Sequence, residues 1–216
     1  FLTIGDREHP PLSQDLGNHG GTVVRLHDDG RVPEDNPFVG AAETDGVTPR
    51  PEIWAYGVRD PQGLYVHPET GALWLHDHGP RGGDELNLVV RGGNYGYPVV
   101  SNGDHYDGRE IPDHDTRPEF AAPAVWWTPV ISPGGFMVYD GELFADWRGD
   151  GFIAGLSSRS LVRIEFEGET AREAERFDMG KRVRAVAQGP DGAIWMLEDK
   201  KGGRLLRLTP SASGPG

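Results

Sequence analysis

Four stretches of this 216-residue sequence hold residue types whose spacing could do chemistry. In the stretch from Pro51 to Leu64, Gly57 and the Asp60-Pro61 step force a turn at the end of a strand. That turn presents Arg59 and Asp60. A guanidinium there is a fork of donors suited to a carboxylate or quinone oxygen; an Arg–Asp surface pair is the plainer alternative. The stretch from His76 to Glu85 comes next. His76 and His78 alternate onto one strand face, a spacing that suits zinc, but a lone His-x-His is more often structural and no clear third ligand stands nearby. Gly79-Pro80 followed by Gly82-Gly83 makes a loop of exposed carbonyls with few side chains. With Asp84 and Glu85 beside it, hard oxygen ligands suit Ca²⁺ better than a transition metal. An ordinary Gly-rich turn would look the same.

The third stretch is Lys181 to Val186, where Arg182 and Arg184 lie two apart and so share a strand face. Two adjacent guanidiniums repel unless something anionic lies between them. They point either to an anionic small ligand or to neutralisation by local acids. The fourth is aromatic. Tyr106 lies in an acidic loop with Asp104 and Asp107, where it could stack on a flat ligand or stand as a surface ring. Tyr95 and Tyr97, in the tight turn Asn94 to Pro98, read as packing residues. Trp126 and Trp127 point to opposite faces of a strand, so at most one lines any given cleft.

The elements that must position these residues are short strands. The sequence has 32 Gly and 18 Pro, and between them lie bursts rich in Trp, Tyr and Phe, which a disordered chain lacks. Strand pairs recur: Phe1 to Ile4 with Thr22 to Leu26, Gly71 to Leu75 with Glu85 to Val90, Gly151 to Gly155 with Ser160 to Phe166, and Gly192 to Leu197 with Arg204 to Leu208. Arg25, Arg163 and Arg207 centre the second strand of three pairs, and the alternation there suits an outer strand with one wet face. Glu167 to Arg176 is rich in helix formers but has no apolar stripe, and reads as a hairpin connection. Units of this kind are the signature of an all-β fold of β-propeller blades. About three and a half blades fit in residues 1–210, as a single partial domain, with 211–216 as a flexible tail. Closure needs at least four blades, and the chain opens directly in a strand. A piece of a longer protein is therefore expected, with open edges prone to aggregation or homodimerisation.

Composition excludes several classes. The net charge of −13 argues against a nucleic-acid partner. The absence of Cys removes disulfides and thiolate chemistry. No apolar run is long enough for a membrane span. Serine-hydrolase, zincin, P-loop and Rossmann motifs are missing.

Taken together, Leu2 to Arg7, Gly30 to Phe38, Arg59 to Gly63, His78 to Glu85, Asn94 to Pro98 and Arg182 to Arg184 resemble the soluble PQQ-dependent aldose sugar dehydrogenases of the glucose/sorbosone dehydrogenase family. The run from His78 to Pro98 is the most specific part. The resemblance implies a six-bladed propeller that oxidises aldoses at C1 to lactones with PQQ and Ca²⁺ and passes electrons to an external acceptor. It implies that Arg59 contacts PQQ and the substrate-facing quinone oxygens, and that Tyr106, Arg182 and Arg184 contact PQQ. Gly79 and Pro80 would give carbonyls to the Ca²⁺ that also binds PQQ. Glu85 and the Tyr95 carbonyl resemble ligands of a second, structural Ca²⁺.

The sequence also departs from the family pattern. Asp60 replaces the usual Asn beside the cofactor, Val58 a frequent His, and Ala185 a frequent Asp. Ser157 stands near the place where some members carry a cofactor-binding Lys. The family's general-base His would lie upstream of Phe1, and His9, His19 and His27 do not fit its context. The isolated chain is therefore expected to turn over weakly or not at all. A periplasmic or secreted location follows from the resemblance alone. Two rivals are a non-catalytic sugar- or partner-binding propeller and a calcium-dependent propeller lactonase.

Overall fold

Turn residues set the strand boundaries. The computed structural model describes residues 1–211 and gives an all-β chain. The expected tail lies, from residue 212 on, outside the described residues. In chain order the strands are β1 (Leu2–Ile4), β2 (Thr22–Val24), β3 (Ile53–Tyr56), β4 (Pro61–Val66), β5 (Leu73–Asp77), β6 (Arg81–Gly82), β7 (Asp84–Leu88), β8 (Gly103–Asp104), β9 (Val125–Trp127), β10 (Pro133–Val138), β11 (Gly151–Gly155), β12 (Ser160–Glu167), β13 (Thr170–Asp178), β14 (Val183–Gln188), β15 (Ile194–Glu198) and β16 (Leu205–Leu208). Three short 3-10 turns complete the set, and no helix among the described residues is long and apolar enough to cross a membrane.

The strands form sheets in the orders β1-β2-β3, β4-β5-β7-β9, β10-β11-β12-β13 and β14-β15-β16, with β6-β8 as a small ribbon. Two compact units result. One comprises Phe1–Leu64 and Leu73–Val130; the other comprises Tyr65–Ala72 and the described residues from Ile131 onward. Each has its own apolar centre. Val23, Ala55, Val58, Leu73, Leu75, Val89 and Tyr95 pack together in the first. Met137, Tyr139, Phe152, Leu161, Val183, Ile194 and Met196 do so in the second.

Three readings change in detail. The Asp60-Pro61 step opens a strand rather than completing a turn. Pro is tolerated as a strand's first residue because its missing N–H costs no ladder bond there. The Glu167–Arg176 stretch is a hairpin, but most of it is β13. That edge strand carries Arg172, Glu173, Glu175 and Arg176, and charge on an edge discourages pairing with other chains. The Arg-centred strands are not uniformly outer ones. β2 is central and fully buried, and β12 is flanked on both sides, whereas β16 is an edge.

Candidate functional site

Asp77, the last residue of β5, is buried, and its carboxylate accepts two backbone N–H groups from the turn ahead of β4. Arg59 donates to Oδ2 at 2.7 Å and Asp60 to Oδ1 at 2.6 Å. Gly57 makes the turn possible. Its φ is +79°, and a Cβ there would stand 2.2 Å from Asn94 Oδ1. Burial pushes the Asp77 carboxyl up to about 7, against the pull of those two N–H groups.

The turn aims Arg59. Its Nη1 donates to the carbonyls of His78 at 3.0 Å and Gly79 at 3.1 Å, and its Nη2 reaches the Tyr106 hydroxyl at 3.3 Å. The guanidinium carbon lies 6.0 Å from the Tyr97 ring centre and 5.6 Å from that of Tyr106. Its Nε is buried with no acceptor among the described residues. Tyr106 is 73% exposed. The Asp60 carboxylate accepts from Gln62 Nε2 at 2.9 Å.

The glycine loop is built for close approach. A Cβ on Gly79 would lie 2.2 Å from the carbonyl oxygens of both Gly82 and Gly83, so only glycine admits this convergence. Gly79 N–H donates to Asp84 Oδ1 at 3.0 Å. Glu85 is buried, accepts from Asn87 Nδ2 at 3.1 Å, and lies 3.9 Å from His114 Nδ1. Burial, then the charges of Asp77 and Asp84, push its carboxyl up to about 8. Asn87 Oδ1 is buried and accepts nothing among the described residues. The Tyr95 carbonyl lies 3.0 Å from His114 Nε2. Arg59, Asp77, Gly79, Pro80, Glu85 and Tyr95 line one pocket of about 10 Å³, the room of a single water-sized sphere.

These residues fit a hard cation. Two desolvated carboxylates, an orphaned amide oxygen and a carbonyl-lined loop supply oxygen ligands and no sulfur. Among the described residues no group of three His, Asp or Glu could hold a metal by side chains alone, so backbone carbonyls must contribute. His76 is fully buried inside β5, and no third side-chain ligand joins His76 and His78 among the described residues.

The expected site residues fall into two sets. Arg59, Asp60, Tyr106, Gly79, Pro80, Glu85 and Tyr95 belong to the first unit, Arg182 and Arg184 to the second. In the second unit an anion does lie between the two guanidiniums. The Asp199 carboxylate accepts from Arg182 Nε at 2.9 Å and lies 3.6 Å from Arg184. Its pKa is held below the ordinary value chiefly by the Arg182 hydrogen bond. Asp77, Asn87 and His114 were not singled out by sequence. The one available signal was that Asp77 ends an apolar strand ahead of the glycine loop.

The chain belongs to the glucose/sorbosone dehydrogenase family, whose model matches residues 1–207. Aldose sugar dehydrogenase YliI of Escherichia coli K12 is 38% identical over 97% of this chain and 56% of its own length. A crystal structure of a glucose dehydrogenase superposes with a TM-score of 0.89 at 40% identity, over 97% of this chain and 60% of that one. The PQQ-bound aldose sugar dehydrogenase of Streptomyces coelicolor superposes with a TM-score of 0.70 at 27% identity, over 95% of this chain and 56% of that one. The chain thus spans little more than half the length of these relatives.

Proposed function

We propose that the chain carries a PQQ- and Ca²⁺-binding part of an aldose dehydrogenase, and that its sheets are about three and a half blades of a six-bladed propeller. Four sheets of three or four strands, following one another along the chain, support the architecture. The observation that carries the function is Arg59. It has a buried Nε without an acceptor among the described residues, in the wall of a pocket that also holds the buried carboxylates of Asp77 and Glu85 and the glycine loop.

Bound PQQ would supply the two-electron oxidant for C1 of an aldose, and Ca²⁺ the Lewis acidity beside it. Gly79, Pro80, Glu85 and the Tyr95 carbonyl would hold the metal ions. Arg59 would bind cofactor oxygens through its donor fork, and the Asp77 carboxylate keeps that fork aimed by fixing the backbone on which it stands. The exposed Tyr106 ring would cover a planar face. The paired Arg182 and Arg184, whose charge Asp199 offsets only in part, would take a cofactor carboxylate.

The test is PQQ binding followed by cofactor absorbance, with and without Ca²⁺, in the chain and in Arg59→Met. Charge-assisted hydrogen bonds contribute about 1.5–3 kcal/mol, so the variant should bind at least about tenfold more weakly. Affinity unchanged in Arg59→Met, or no binding by a folded chain, overturns the reading.

A further inference from the structure

A second, larger cavity of about 630 Å³ opens in the first unit. It shares no lining residue with the Arg59 pocket, and nothing in the proposed chemistry uses it. Its volume lies in the range of small-molecule sites. We infer that this cavity binds a carbohydrate of one or two pyranose rings. The inference does not depend on the reading of the Arg59 pocket.

The walls carry it. Trp126, Phe120 and Pro118 give flat apolar surface. Trp126 is 55% exposed, whereas its neighbour Trp127 is buried, so the alternation of β9 delivers one indole to the cavity and the other to the interior. Asp113, Asp115 and Asn102 give polar surface. The carboxylates of Asp113 and Asp115 enter no ion pair or side-chain hydrogen bond among the described residues. The loop bearing them is nonetheless fixed. Its short 3-10 turn, His114–Thr116, buries His114, which lies 3.0 Å from the Tyr95 carbonyl and whose N–H donates to Asn102 Oδ1 at 3.3 Å. That leaves Asn102 Nδ2 for a ligand.

A pyranose matches this set. Its C–H face packs on an aromatic plane, and its vicinal hydroxyls donate to carboxylates and accept from an amide. An organic cation matches it less well. It would leave Asn102 Nδ2 without an acceptor, and the Phe120 ring is already taken as a cation platform by Arg117, 5.3 Å from its centre and paired with Glu119.

The test is saturation-transfer NMR with maltose and cellobiose, and with choline as a cationic probe, on the chain and on Trp126→Ala and Asp115→Asn. Both sites are exposed, so folding should survive, and circular dichroism checks it. A sugar signal is expected that weakens about tenfold or more without the indole and severalfold in Asp115→Asn. Choline should give no comparable signal. Trp126 stands opposite Glu85 across β7 and β9, so the Ca²⁺ response of each variant is measured as a control and should be unchanged. No sugar signal, sugar binding equal in all three proteins, or choline binding that outcompetes sugar overturns the inference.

Discussion

The two units give their buried acids different partners. In the second unit each buried carboxylate meets a guanidinium. Asp150 accepts from Arg163 at 2.6 Å, and Glu198 is gripped by Arg204 on both oxygens with Lys181 Nζ at 3.4 Å. In the first unit Asp77 and Glu85 are as deeply buried, yet no Lys or Arg forms an ion pair with either among the described residues; two N–H groups and the more distant Arg59 charge answer Asp77, and the Asn87 amide and His114 answer Glu85. Desolvation therefore wins there and raises both pKa values; it also raises that of Asp150 against the Arg163 bond, whereas the Arg204 contacts hold Glu198 down at about 2. A buried acid with a built-in cation is a structural pair. A buried acid left to dipoles is costly unless a positive ligand completes it.

Breaking one buried acid's contacts in each unit separates the two uses, and Asp77→Ala should be the most damaging. It orphans two part-buried N–H donors at about 1–3 kcal/mol each, so urea denaturation should show a loss of roughly 3 kcal/mol, with weaker PQQ binding because Arg59 loses its anchor. Arg163→Ala should cost somewhat less, about 2 kcal/mol, since it strands the buried Asp150 carboxylate but leaves it the 12% exposure through which water can reach it.

Acid should loosen the Glu198 contacts of the second unit. The Glu198 carboxyl falls from an ordinary 4.5 to about 2 on folding. Its stabilising contribution is complete above pH 4.5 and is lost as the pH drops toward 2. Hydrogen exchange in β15 and β16 should accelerate across that window, and Glu198→Gln should flatten the response. Arg172→Ala should barely register, at under about 1 kcal/mol in the same denaturation assay, because its pair with Glu165 lies on the exposed β12–β13 hairpin.

Much of this was legible in sequence, for identifiable reasons. The four strand pairs are local and bounded by Gly and Asp turns, so 151–155 and 160–167 fall almost where alternation puts them. Gly57 and the Gly79–Gly83 loop are visible because only glycine permits their geometry. What escaped depends on contacts distant in sequence. Asp77 matters because it reaches back to residues 59 and 60, and Asp199 because a hairpin brings it beside Arg182. Neither distance is written in local pattern. Pro61 misled because a proline after Asp signals a turn as readily as a strand start.

The most direct test of the contrast is hydrogen exchange resolved by segment, with Ca²⁺ added and then removed by chelation. Ca²⁺ should slow exchange in 73–88 and 94–103 and leave 183–208 unchanged, and Glu85→Gln should weaken the effect. Equal protection of both units, or no response to Ca²⁺ in a folded chain, would contradict the assignment of the first unit's buried acids to a cation.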